Sequence, residues 1–88
     1  MIVAMTEEPL PHSLTDYLSS AMTKHSVTIA GHRTSITLEQ PFWDELHRIA
    51  KLRGVSLAKL IEEIDECRGV NLSSAIRLFV LFHLSEKT

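Results

Sequence analysis

The chain has 88 residues, 44 % of them hydrophobic, and a formal net charge of −2. That length sustains one small domain whose single core leaves little net stability, and that charge argues against indiscriminate binding to nucleic acid. A lone cysteine, Cys67, excludes an intrachain disulfide and fits a reducing interior.

Charge is distributed unevenly along the chain. Residues 1–20 carry −3, residues 21–60 carry +3 and residues 61–88 carry −2. The basic surplus is Lys24, Arg33, Arg48, Lys51, Arg53 and Lys59, so it gathers in the middle of the sequence. No apolar run approaches the ~20 residues that a membrane span needs. Met1 to Met5 is apolar but lacks the basic start of a signal peptide, so the expected location is the cytoplasm, with no membrane partner.

Residues 1–24 read as an acidic N-terminal tail containing Pro9 and Pro11. Within it, Ser13-Leu14-Thr15-Asp16 resembles a capping box, and Leu14, Tyr17, Leu18 and Ala21 fall at helical spacing, which allows a short helix over 13–23. Residues 25–88 form the domain proper. Its first candidate strand is 26–31, Ser-Val-Thr-Ile-Ala-Gly, and its second is His32 to Glu39, rich in β-branched residues. Alternation along the second strand puts Arg33, Ser35 and Thr37 on one side and Thr34, Ile36 and Leu38 on the other. Apolar phase flips between the two stretches, because Val27 and Ile29 are odd-numbered while Ile36 and Leu38 are even. A two-residue turn at Gly31-His32 resolves the conflict by making a hairpin; a bulge at Gly31 also resolves it.

Pro41 suits the first position of a helix, which Phe42, Leu46, Ile49, Ala50 and Arg53 continue at 3.6-residue spacing and Gly54 ends. Ser56 caps a second helix, striped by Leu57, Leu60, Ile61 and Ile64 and faced outward by Glu62, Glu63, Asp65 and Glu66; Gly69 closes it. Asn71 caps a third, from about Leu72 to Leu84. In that helix Leu72, Ala75, Ile76, Phe79, Val80 and His83 make one stripe. Leu78, Leu81 and Phe82 make another, so two packing partners are expected.

Ser35-Ile36-Thr37-Leu38 leading to Pro41, then Leu46, Ile49 and Ala50, Arg53-Gly54-Val55-Ser56-Leu57 and Leu60-Ile61, resembles the ribbon-helix-helix proteins of the Arc and MetJ type. The run Val27 to Ser35, with Phe42-Trp43 and Asn71-Leu72-Ser73-Ser74-Ala75, is similar to a subgroup of small uncharacterised bacterial ribbon-helix-helix proteins. The resemblance implies a mainly α fold with a short β ribbon: a dimer with intermolecular antiparallel β pairing, here carrying an extra C-terminal helix. It also implies major-groove reading by alternate strand residues, which by position are Arg33, Ser35 and Thr37. Phosphate anchoring would fall to the start of the second helix, at Ser56 and Leu57, with Lys59 adding charge. The expected dimer core comprises Ile36, Leu38, Phe42, Trp43, Leu46, Leu60, Ile61, Ile64, Ile76, Phe79 and Val80. The chemistry agrees with the groove role, since arginine can donate a bidentate pair to guanine and hydroxyls serve several bases.

Nothing resembles a catalytic triad, a phosphate-cradling glycine loop or a paired-carboxylate site, and no histidine spacing suits a metal. The expectation is therefore a non-enzymatic protein without metal or cofactor: a homodimeric, sequence-specific DNA-binding regulator of transcription. The alternative is a dimeric module of the same fold, antitoxin-like or an adaptor, that binds a protein through the last helix or the N-terminal tail. The acidic second helix motivates it, and so does a hairpin that would widen the dimer sheet beyond a groove ~12 Å across.

Overall fold

The structure, a computed structural model, describes residues 12–86, with side chains from Leu14 onward. The first eleven residues of the expected tail lie outside the described residues. In chain order come α1 (His12–Leu18), β1 (Met22–Ile29), β2 (His32–Glu39), α2 (Gln40–Arg53), α3 (Leu57–Cys67) and α4 (Leu72–Glu86). The helix allowed over 13–23 is thus a seven-residue turn of helix, and Met22 and Thr23 belong to the sheet.

β1 and β2 form an antiparallel hairpin, from Met22 opposite Glu39 to Ile29 opposite His32. Its two-residue turn is Ala30-Gly31, one residue earlier than Gly31-His32, and neither a type II′ turn nor a bulge is formed. Ala30 has φ 51 and Gly31 φ 83, the paired positive angles of a type I′ turn. Moving the turn by one residue slides the register by two, and a two-residue slide leaves every side chain on its expected face. Ala30 tolerates the left-handed conformation because its N–H donates to Glu62 Oε2 at 3.1 Å, which ties the hairpin tip to α3. An L-residue with a Cβ is strained there by about 1–2 kcal/mol. Ala30→Asn is therefore expected to stabilise the fold by about 1 kcal/mol, read as a higher urea midpoint at unchanged slope.

The helices end where their sequences dictate. Gly54 caps α2 at φ 70, with its N–H directed at the carbonyls of Ala50 and Lys51. Ser56 Oγ accepts the Lys59 N–H at 3.0 Å to start α3, and Asn71 Oδ1 accepts the Ser74 N–H at 2.9 Å to start α4. Arg68, in extended conformation, is the C-cap of α3, one residue before Gly69.

One face of the hairpin, through Ile29, Ile36 and Leu38, covers Trp43, Leu46, Ile49 and Ala50 of α2 and Leu60, Ile61 and Ile64 of α3. Ala75, Ile76 and Val80 of α4 complete this core. Arg77 of α4 clamps the end of β2: its Nε and Nη2 donate to the two carboxylate oxygens of Glu39 at 2.9 and 3.2 Å, and its guanidinium lies 6.0 Å from the Phe42 ring centroid. Among the described residues no helix is long and apolar enough to cross a membrane.

Candidate nucleic-acid interface

Period-two alternation over a hairpin with matched register sorts its side chains into two sets. The inner set reaches the core. The outer set is Met22, Lys24, Ser26 and Thr28 from β1 with Arg33, Ser35, Thr37 and Glu39 from β2, all exposed except the half-buried Glu39. Register places Thr28 beside Arg33, Ser26 beside Ser35 and Lys24 beside Thr37. Away from its Met22–Glu39 end this surface holds two cations and four hydroxyls, and the carboxylate at that end, Glu39, is held by Arg77. Sequence reasoning located the β2 half. It missed Lys24, Ser26 and Thr28; the alternation of Ser26 and Thr28 with Val27 and Ile29 was available as a signal, whereas Lys24 lies between polar neighbours.

The hairpin is supported from below. Trp43 is 1 % exposed, donates from Nε1 to the Thr23 carbonyl at 3.3 Å, and packs against His25 with ring centroids 4.4 Å apart and planes tilted by 55°. Ser73 Oγ donates to the Thr37 carbonyl at 2.9 Å. In a hairpin with a two-residue turn the residues flanking the turn exchange hydrogen bonds, so His32, Thr34, Ile36 and Leu38 point their backbone groups at β1. Arg33, Ser35 and Thr37 point theirs away, along the free edge of β2. Of these, Thr37 meets α4 through Ser73, which leaves the edge open at Arg33 and Ser35.

The Arg77 guanidinium hydrogen-bonded to Glu39 holds that carboxyl below the usual carboxylate range, and the residue's own backbone N–H adds to the effect. A carboxylate depressed in this way contributes stability above its unfolded-state pKa and loses it as pH falls through the lower folded-state value. Glu39→Gln is expected to lower the urea midpoint at neutral pH, and the gap between variant and parent should close below about pH 4.

The expected anchor lies at the start of α3. Ser56 Oγ is occupied by the Lys59 N–H, so the N–H groups of Leu57 and Ala58 are the first-turn donors left facing out of the helix end. Lys59 is exposed, with Nζ 3.5 Å from Glu62 Oε1. Since Glu62 also holds the Ala30 N–H, the anchor and the hairpin tip share one carboxylate. Ile36, Leu38, Trp43, Leu46, Leu60, Ile61, Ile64, Ile76 and Val80 are buried within the protomer itself, and Phe42 and Phe79 are half-buried at its margin. Among the described residues no group of three or more His, Cys, Asp or Glu side chains is placed to hold a metal ion.

A polar strand face running into a helix, a glycine turn and a serine-capped second helix define a β-ribbon protein of the ribbon-helix-helix class. The ribbon-helix-helix domain family matches residues 22–84, and the chain belongs to that family. Its domains form dimers and often bind DNA. Among solved structures the chain is similar to an uncharacterized protein from Bordetella pertussis Tohama I. The two are 25 % identical with a TM-score of 0.66, over 86 % of this chain and 70 % of that one. No curated protein matches the sequence.

Proposed function

We propose that this protein is a homodimeric, sequence-specific DNA-binding regulator of transcription that applies the outer face of its hairpin to the major groove. The observation that carries the reading is the exposed surface of Lys24, Ser26, Thr28, Arg33, Ser35 and Thr37, two cations and four hydroxyls whose one neighbouring carboxylate, Glu39, is paired with Arg77, next to a helix N-terminus with outward N–H groups. Two copies pair along the open β2 edges at Arg33 and Ser35. The dimer sheet then has the order β1-β2-β2-β1, with outer strands roughly 14 Å apart at ~4.8 Å per step. The groove is ~12 Å wide, so the two central strands lie over its mouth and the outer strands over the phosphate ridges. Arg33, Ser35 and Thr37, on the central strands, face the bases. Lys24, on an outer strand, faces phosphates, as do Ser56, Leu57 and Lys59 at the head of α3.

Selection from a random duplex pool at low salt tests the reading. Recovery of a consensus, with affinity falling steeply as salt rises, is the expected result; no enrichment over nonspecific binding overturns it. A second reading, a dimeric module of the same fold that binds protein in antitoxin or adaptor fashion, is favoured by one observation: four strands are too wide to enter a groove as a two-stranded ribbon does. In that case the pool yields nothing and the polar face is dispensable.

A further inference from the structure

The free edge of β2 is shorter than the strand itself. Outward backbone groups recur at every second residue, at Arg33, Ser35 and Thr37, and the residue before them in that series, Gly31, has φ 83 and is not extended. At the other end the first turn of α4 stands against β2. There the half-buried Ser73 donates from Oγ to the Thr37 carbonyl at 2.9 Å, a bond between residues 36 apart in sequence. Two positions remain for a partner strand, Arg33 and Ser35.

We infer that Ser73 is a positioning residue that sets the register of the dimer ribbon, and through it the separation of the two Arg33 side chains on DNA. The inference rests on the ribbon pairing proposed above. In antiparallel strands, two outward residues set directly opposite each other exchange a pair of hydrogen bonds. With Thr37 taken, the register that sets Arg33 opposite the partner's Ser35 closes two such pairs, and its twofold axis passes between the two copies of Thr34. Setting Ser35 opposite the partner's Ser35 closes only one, because both flanking pairs need Thr37. Setting Arg33 opposite the partner's Arg33 also closes one, and it opposes like charges. Were Thr37 free, the Ser35-centred register would close three pairs and overtake the first. Ser73 therefore decides between them, and the consequence is metric. At ~3.3 Å per residue along a strand and ~5 Å between strands, the Arg33 Cα atoms lie roughly 8 Å apart in the first register and roughly 14 Å apart in the second. The first brings both arginines close to the operator's centre of symmetry, so that its half-sites abut.

Cysteine trapping reads the register, in a Cys67→Ser background that removes the exposed native thiol. Directly opposed residues have Cα atoms ~4.5–5.5 Å apart, within disulfide reach, whereas an offset of one residue on each strand carries them beyond ~7 Å. With oxidised glutathione, Thr34→Cys is expected to give at least about fivefold more covalent dimer than Ser35→Cys. Adding Ser73→Ala is expected to reverse the two yields, and Ser73→Thr, which keeps a hydroxyl, to restore the parental order. A merely structural role for Ser73 would lower both yields together and not exchange them. If Ser35→Cys cross-links better than Thr34→Cys while Ser73 is present, ribbon pairing stands and the inference is overturned. It is also overturned if Ser73→Ala leaves the yields unchanged. If neither cysteine cross-links, ribbon pairing fails and takes the inference with it. Where far-UV circular dichroism shows that a cysteine disturbs folding, duplex selection with Ser73→Ala is read instead. Half-sites further apart than the parent's then support the inference, and parental spacing overturns it.

Discussion

Trp43→Ala is expected to lower the melting temperature by roughly 15–30 °C, the largest effect of any single substitution in the chain. Truncating a buried tryptophan costs about 3–5 kcal/mol through lost transfer energy and a residual cavity. A domain of this size has a total stability of about 4–13 kcal/mol. Each kcal/mol corresponds to about 4–8 °C in a domain of 60–100 residues. At 1 % exposure Trp43 has no solvent-filled margin to relax into. It is also the support of the hairpin's base, through Nε1 to the Thr23 carbonyl and its tilted ring contact with His25. Trp43→Phe, which keeps most of the volume and loses the Nε1 bond, should cost only about 1–2 kcal/mol. Thermal melts followed by far-UV circular dichroism separate the two, and equal melting temperatures for the alanine and phenylalanine variants would refute the role given to Trp43.

Arg33→Ala and Lys24→Ala should weaken DNA binding in different ways. A good bidentate arginine–base pair discriminates by about 1–3 kcal/mol, so a dimer losing two loses about 2–6 kcal/mol, roughly 30-fold or more. That loss is confined to the cognate sequence, and Arg33→Ala binds cognate and scrambled duplexes more nearly alike. Lys24→Ala removes one phosphate contact per protomer. It lowers affinity for both duplexes together and flattens the log–log salt slope by about 2 per dimer. The double variant combines the losses, since the two side chains sit on different strands and are not cross-strand partners. Titrations of both duplexes at several salt concentrations measure all of this. A double variant with parental affinity and parental salt slope would remove the hairpin's outer face from DNA binding.

Much of the fold was legible because local signals agreed. The phase flip between Val27-Ile29 and Ile36-Leu38 demanded a change of direction near Gly31, and Gly54, Ser56 and Asn71 marked helix ends that the structure keeps. What escaped depends on contacts distant in sequence. Ala30 carries no signature of a positive φ; the two-residue turn imposes one on it, and Glu62, 32 residues later, receives its N–H. The first half of β1 has no apolar alternation, because its inner positions are Thr23, whose hydroxyl donates to the Leu38 carbonyl, and His25, whose ring packs tilted against Trp43. This is also why the Lys24 end of the outer face was missed. Helical periodicity at Leu46, Ile61 and Ile76 marks burial but does not say against which chain, and the structure buries all three inside the protomer.

Glu62 draws these parts together. One of its oxygens holds the backbone at the hairpin tip and the other faces the ammonium of Lys59. The position of the hairpin tip relative to the start of α3 is thus fixed by a polar tie at the surface as well as by the core beneath it. A change at Glu62 would therefore reach two places at once, the left-handed turn of the hairpin and the charge at the head of α3.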